Sequence, residues 1–318
     1  MQKNIISPQS GKINTYNLGV AWNWEFDSEF IQIIGEECLA RELSLFLIES
    51  QNLHDTSQRM ENNSLSFDVY YDRASDTDDD FKQIADRVVE NSTHVINPHP
   101  FAAHAMDKAT MHLEFLTKGI HTPYTIILSP YKHQNTLDLN QLDFDRLGKP
   151  FIIKPANTTG GGNGVIVGAQ QSIEIIEARQ QHRDDKYLLQ ETISPSMLDG
   201  RRTWFRVIYT FGEIHLCWWD DITHVYTLLH AEEEQNYGLS ALRSIIETIH
   251  DICRLDFFSS EIALTSEGKF VVVDYVNEVC DMRLQSNHID GVPDSIVRRV
   301  AQLIVHEVEK HSSSMRKI

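Results

Sequence analysis

The chain has 318 residues, 41% of them apolar and 23% charged, which suits two or three packed subdomains of a soluble globular protein rather than one small core. Its formal net charge of −18 argues against duplex nucleic acid and anionic membranes as partners, since both need a contact face rich in Lys and Arg; a local basic pocket is still compatible. No run approaches the roughly 18 apolar residues of a membrane span, and the polar opening MQKNIISPQSGKIN reads as neither signal peptide nor anchor.

From Leu18 to Pro98, apolar runs alternate with helical patterns: LGVAWNW, FIQIIGEECLARE, LSLFLIES, SFDVYYDRAS, FKQIADRVVEN and THVINP. That order predicts βαβ units on a largely parallel sheet, which present loops to a ligand at their strand ends. A helix is predicted over AMDKATMHLEFLTKGI, stopped by Gly119 with Pro123 beyond it, then a strand, YTIILS, and a polar loop to Gly148. From Pro150 the pattern turns to antiparallel β, in FIIK, GVIVGA, KYLLQETI, RTWFRVIYTF and EIHLCWW. A helix in GLSALRSIIETIHDICRL precedes the strands SSEIAL and KFVVVDYVN, joined by the turn TSEGK. The closing PDSIVRRVAQLIVHEVEK predicts a helix with Ile296, Val300, Leu303, Ile304 and Val308 on one stripe and Asp294 as N-cap. Cys38, Cys217, Cys253 and Cys280 lie far apart without a C-x-x-C pair, which argues against a disulfide framework or zinc ribbon and for a reducing cytoplasm.

Three stretches carry candidate chemistry. In FIIKPANTTGGGNGVIVGA, Lys154 closes a strand and four glycines follow. Such a turn exposes successive backbone N–H groups in a concavity suited to phosphate oxygens; it also suits a flexible hairpin with a surface lysine. It is neither a P-loop nor a G-x-G-x-x-G that opens a helix. In EIALTSEGKFVVVDYVNEVCDMR, Glu261, Asp274, Asn277 and Glu278 are oxygen donors at the ends of two neighbouring strands, a set suited to magnesium held together with phosphates. An acid inside FVVVDYV demands a partner, and the other reading pairs one acid with Arg283 and leaves the rest in solvent. YLLQETI, running into SPSMLDG, suits a hinge whose backbone meets an adenine edge, or simply a strand end.

The order of these pieces, Lys108 in MDKATMH, Lys154 before TTGGGNG, LLQETI, WFRVIY, SSEIAL and DYVN, resembles the ATP-grasp superfamily over about residues 97–310. Within it the series is most similar to carboxylate–amine ligases of the ribosomal-S6 glutamate ligase and glutathione synthetase group. The resemblance implies an α/β (α+β) protein with the ATP-grasp fold. A Rossmann-like pre-ATP-grasp domain would span 1–103, subdomain A with the phosphate loop 104–186, and subdomain B with the metal site 187–318. It implies ATP with Mg2+, or Mn2+ in its place. Lys108 and Lys154 would hold the phosphates, and Gly160, Gly161, Gly162, Asn163 and Gly164 would close over them. Gln190, Glu191 and Ile193 match the adenine hinge, Glu261 stands where the family usually has Asp, and Asp274 and Asn277 stand for its Glu-x-Asn metal pair. Arg206 resembles the arginine that steadies an acyl phosphate, so Lys154 and Arg206 are the expected catalytic pair; Arg202 and Arg283 are candidates for the substrate side.

Two departures stand out. Asp274 and Asn277 are three apart instead of two, so they need a bulge to share a face; otherwise Glu278 or another oxygen must serve. EVCDMR replaces the family's usual Pro-Gly, which implies a different acceptor pocket. The implied reaction joins a small-molecule or peptide carboxylate to an amine in the cytoplasm, without nucleic acid or membrane, in a family where homo-oligomers are common. The alternatives keep the fold: a kinase for a hydroxyl acceptor such as an inositol phosphate, with Arg201, Arg202 and Arg206 as a modest basic cluster, or a nucleotide-binding regulator without turnover.

Other signals are assigned to structure. Asp76, Asp78 and Asp80 have EF-hand spacing, but Phe81 and Arg87 occupy the glycine and glutamate positions, so DRASDTDDDF reads as the acidic first turn of a helix. His94, His99 and His104 recur every five residues, yet two prolines keep them off one helix face. Trp218 and Trp219 point to opposite faces of a strand, one toward a core and the other free to line an acceptor pocket, with packing favoured for both.

Overall fold

The computed structural model describes residues 13–91, 93–158 and 162–312. Its first region is a four-stranded parallel sheet of β1 (Asn14–Trp22), β2 (Leu45–Ile48), β3 (Leu65–Arg73) and β4 (His94–Ile96), in the order β2-β1-β3-β4. Three helices, α1 (Ser28–Ala40), α2 (Leu53–Glu61) and α3 (Lys82–Glu90), make the crossovers. The sequence pattern passed over α2, which buries only Thr56 and Met60 and so shows little apolar periodicity.

The predicted helix over 105–120 is two helices, α4 (His99–Met106) and α5 (Lys108–Thr117). Asp107 breaks them apart because its carboxylate accepts from the backbone N–H groups of Ala109 and Thr110, a cap that an unbroken helix would leave no room for. Gly119, at φ 77°, ends α5 as expected.

A second, antiparallel sheet has the order β5-β8-β6-β7, from β5 (Thr125–Leu128), a short α6 (Phe144–Leu147), β6 (Phe151–Pro155), β7 (Ile166–Ala169), α7 (Ser172–Gln181) and β8 (Tyr187–Glu191). The sheet therefore crosses the boundary expected at 186/187, with β8 hydrogen-bonded to both β5 and β6. Helix α7 was not anticipated; Gln171 and Glu174 close a capping box at its start.

After a small hairpin, β9 (Met197–Leu198) with β10 (Arg201–Arg202), comes a five-stranded antiparallel sheet ordered β13-β12-β11-β14-β15. Its elements are β11 (Trp204–Thr210), β12 (Glu213–Trp219), β13 (Tyr226–Leu228), α8 (Ala231–Asn236), α9 (Ala241–Cys253), β14 (Phe257–Leu264) and β15 (Phe270–Asn277). Helices α5 and α9 cover one face, where Phe115, Leu242, Ile246 and Ile249 pack with Phe205, Val207, Phe258 and Val272.

The last helix, α10 (Asp294–His311), returns to the first sheet: Val297, Val300, Ile304 and Val308 share a core with Leu18, Val20, Phe30 and Val69. Leu303 of the expected stripe is only half-buried. Asp294 is not the N-cap; Pro293 holds that place, and the Asp294 carboxylate accepts from the Ser286 N–H instead, tying down the preceding loop. Arg73, fully enclosed, donates to Asp27 at 2.6 and 2.8 Å and to the Cys280 carbonyl at 2.8 Å, joining the parallel sheet to the segment beyond β15. All four cysteines are buried and free, and no helix among the described residues is long and apolar enough to cross a membrane.

Gly19 in β1 lies beneath the Phe67 ring, and a Cβ there would come within 2.8 Å of it. Gly19→Ala is expected to cost about 1–3 kcal/mol, seen as a lower denaturation midpoint with an unchanged m value.

Candidate functional site

A cleft of about 670 Å³ opens between the two antiparallel sheets, with the parallel domain at one end. Its polar wall is a row of side chains set by strand register: Arg206 on β11 is directly opposite Glu261 on β14, which is directly opposite Asp274 on β15. Residues abreast on neighbouring strands share a face, so a cation and two carboxylates are carried together into the cleft. The Arg206 guanidinium binds Glu261, whose other oxygen accepts from Trp204 Nε1 at 3.2 Å.

The bulge that Asp274 and Asn277 require is present. Ser259 pairs with Asn277 and Glu261 with Asp274, so two steps on β14 are matched by three on β15. With its amide oxygen toward Arg206, Asn277 accepts from Nη2 at 3.1 Å and donates to the Val279 carbonyl at 3.3 Å. Glu278, next along, also lines the cleft.

The opposing cations come from the second sheet and from α5. Lys154, on the same face of β6 as Ile152, is 7% exposed; its Nζ lies 3.4 Å from the Val273 carbonyl and 5.3 Å from the centre of the Tyr275 ring. Lys108, the first residue of α5, places Nζ 3.8 Å from Asp274. Its position follows from the cap: Asp107 is held by Lys186 at 2.7 Å, and the Lys108 N–H donates to the Ala156 carbonyl at the end of β6.

The glycine-rich turn begins from an anchored base. Asp185 accepts from the backbone N–H groups of Asn157 and Thr158 at 2.9 and 3.0 Å and from both side chains. Gly162 lines the cleft at φ 80°; Gly164, at φ 70°, has no room for a Cβ, which would sit 2.9 Å from His182 and 3.2 Å from Pro155. Asn163 is exposed in the same turn. Gly160 and Gly161 lie outside the described residues.

Behind Lys154 is a buried polar chain. The Tyr275 hydroxyl meets His112 Nδ1 at 2.7 Å and accepts from Gln190 Nε2 at 2.7 Å, and that amide also reaches Thr125 Oγ1 at 2.9 Å. The Gln190 side chain thus supports the wall from within. Glu191 uses its carboxylate on the Tyr124 N–H at 2.7 Å, and neither it, Gln190 nor Ile193 is part of the cleft lining described above.

Burial governs the charges. It pulls the Lys154 ammonium down to about 8, Lys108 adding to the effect while Asp274 and Glu261 oppose it. It also pushes the Glu261 carboxyl up, opposed by Arg206 and reinforced by Asp274. Asp274 is held below the usual carboxylate range: burial would raise it, but Lys108, Lys154 and Arg206 outweigh that. Burial pushes Glu278 up to about 7, with its own N–H and Lys108 opposing and Asp76 and Asp274 adding repulsion. His112 falls to about 4, through burial and then Lys154.

The two substrate-side arginines are already engaged. Arg202 makes a bidentate pair with Asp221 at 2.6 Å and is not in the cleft lining. Arg283 lines the cleft but is clamped between Asp281 and Asp290 at 2.7 and 2.9 Å, not paired with an acid of β15. Trp219 does face the cleft, stacked on His224 at 5.0 Å, whereas Trp218 is buried in the α9 core. The position of Asp76 in this lining, after β3, had no signal of its own; Asp78 caps the short turn that follows by accepting from Asp80.

No family model and no curated protein matches the sequence. Among solved structures, D-alanine–D-alanine ligase from Bacillus anthracis complexed with ATP is similar at TM-score 0.63 and 14% identity, covering 92% of this chain and 96% of that one. The RimK domain ATP-grasp protein from Sphaerobacter thermophilus matches at TM-score 0.59 and 18% identity, over 90% and 99%. Macrocyclase MdnC from Microcystis aeruginosa, bound with precursor peptide MdnA, matches at 0.61 and 11%, over 91% and 99%. The chain therefore has the ATP-grasp fold, in the α/β form the sequence implied.

Glu278 supplies a pH test. Its folded pKa lies above the ordinary value of 4.5, so the protein binds an extra proton relative to the unfolded chain between about 4.5 and 7, and stability from this group is lost as pH rises through that window. In metal-free buffer, the unfolding free energy of wild type relative to Glu278→Gln is expected to fall from pH 4.5 to 7.5.

Proposed function

We propose that the protein is an ATP-dependent carboxylate–amine ligase that forms an amide or peptide bond through an acyl phosphate and releases ADP and phosphate. The observation that carries this reading is the convergence of Lys108, Lys154 and Arg206 with Glu261, Asp274 and Asn277 in one cleft of an ATP-grasp fold. No side-chain nucleophile is required for such chemistry, and the cations suit an electrostatic role.

The donor set fits magnesium. Two adjacent carboxylates and an amide oxygen are hard ligands, and a bound cation would offset the burial, and then the Asp274 charge, that push the Glu261 carboxyl up. Glu261, Asp274 and Asn277 would hold the ion, which when bound would neutralise phosphate oxygens. Lys154 and Lys108 would lie on phosphate oxygens beneath the turn that starts at Asn157. Phosphate would favour the charged form of Lys154, offsetting the burial that lowers its pKa. Arg206 would then face the carboxylate oxygen that attacks the γ-phosphorus as ADP leaves; the amine attacks the acyl carbon, phosphate departs, and the nitrogen loses its proton.

A hydroxyl acceptor that is itself polyanionic is less well served. Arg201 is paired with Glu233, Arg202 with Asp221, and Arg283 with two aspartates, so little uncompensated positive charge faces that end of the cleft. The peptide bound to the macrocyclase makes peptide carboxylates part of any acceptor panel.

Purified protein with Mg-ATP is expected to release ADP only when both an acid and an amine are supplied from pools of amino acids, small carboxylates and peptides. Lys154→Ala is expected to lower that release by on the order of 100-fold or more. Release with inositol phosphates or another hydroxyl acceptor alone would replace the ligase by a kinase.

A further inference from the structure

A different constellation lies where the parallel sheet meets α10. His94 opens β4, the edge strand of the parallel sheet, and Glu307 and His311 stand four residues apart on the last turns of α10. That spacing puts the latter two on one helix face. One ligand atom from each of the three lies within 4.8 Å of the other two, the one such group of His, Cys, Asp or Glu among the described residues. His94 thus finds its neighbours on α10, not in His99 and His104; the latter instead faces Glu114 at 3.1 Å.

Two features distinguish the group from an ordinary surface ion pair. His94 Nε2 is buried and has no hydrogen-bond partner among the described residues, a cost that a buried polar atom carries unless something binds it. The His94 and His311 rings stack at 3.7 Å and 6°, an arrangement suited to neutral imidazoles and unfavourable for two imidazoliums. Burial, and then His311, hold His94 below the ordinary histidine range, in the unprotonated form that ligates metals. Glu307 Oε1 lies 3.0 Å from His311 Nε2, and its other oxygen is held by Lys310 at 2.7 Å. Asp256 adds a further carboxylate whose charge acts on both His94 and Glu307.

We propose that His94, Glu307 and His311 form a binding site for a divalent transition metal of the zinc class, which clasps the edge strand β4 to the end of α10. Two imidazoles beside a carboxylate are a set such ions prefer, whereas magnesium takes oxygen ligands, and water would complete a four-coordinate shell. Tetrahedral bonds of about 2.0–2.2 Å need ligand atoms roughly 3.3–3.5 Å apart, and because an imidazole donates in its ring plane, the stacked His94 and His311 rings turn out of parallel when both reach one ion. The site is remote in composition from the cleft, shares none of its residues, and is independent of the ligase reading.

Metal-free full-length protein titrated with Co2+ is expected to develop the intense visible absorption of a low-coordinate nitrogen and oxygen site at one equivalent, and Zn2+ should bleach it and raise Tm. His311→Ala is expected to weaken Zn2+ binding by on the order of 100-fold while leaving the metal-free circular dichroism unchanged. Glu307→Gln should weaken it as well, which keeps the test valid if the alanine variant is unstable. Asp274→Asn, which removes a donor from the cleft, should keep the Co2+ signal. Equal Zn2+ affinity in wild type and both α10 variants, or loss of the signal in Asp274→Asn alone, would overturn the assignment.

Discussion

Cations in a half-closed cleft must be compensated, and this constraint organises the molecule. Arg206, Glu261 and Asp274 stand abreast on three strands, and Lys154 of the second sheet and Lys108 of α5 meet the row. Removing either carboxylate would leave a buried cation without its counterpart, a cost that normally exceeds what the pair contributes by forming. Burial nonetheless lowers the Lys154 pKa and raises that of Glu261. A site in that condition gains from binding an anion and a cation together.

Asn277 joins the row only through irregular pairing between β14 and β15. A regular ladder would send Asp274 and Asn277 to opposite faces, because side chains alternate along a strand. The extra residue on β15 resets the alternation and brings Asn277 to Arg206. Similarly, Asp107 and Asp185 use their carboxylates on backbone N–H groups, placing Lys108 and the base of the glycine-rich turn. Tyr275 then links the lobes: its strand belongs to the five-stranded sheet, while its hydroxyl contacts His112 of α5 and Gln190 of β8.

The rest of the cleft lining differs in character. Trp219 stacked on His224 gives a flat apolar surface, and the clamp of Asp281 and Asp290 leaves Arg283 neutralised. Asp76 and Glu278 add acidity where the parallel domain meets the cleft. This part of the lining therefore carries more acidity than uncompensated positive charge.

Much of this was legible in the sequence. Alternation and helical periodicity announced the parallel domain and the later antiparallel sheets, and ordered motifs pointed to Lys108, Lys154, Arg206, Glu261, Asp274 and Asn277, because residues anchored to strand ends and turns keep a local signature. The three-residue spacing even stated the need for a bulge. What the sequence by itself could not determine were partnerships between distant segments: Arg283 with two aspartates, Arg202 with Asp221, Gln190 with Tyr275, Asp76 facing the cleft, and His94 beside α10. Those depend on how the sheets and helices pack, and periodicity carries no information about which buried charge will lie within reach of which other once water is excluded.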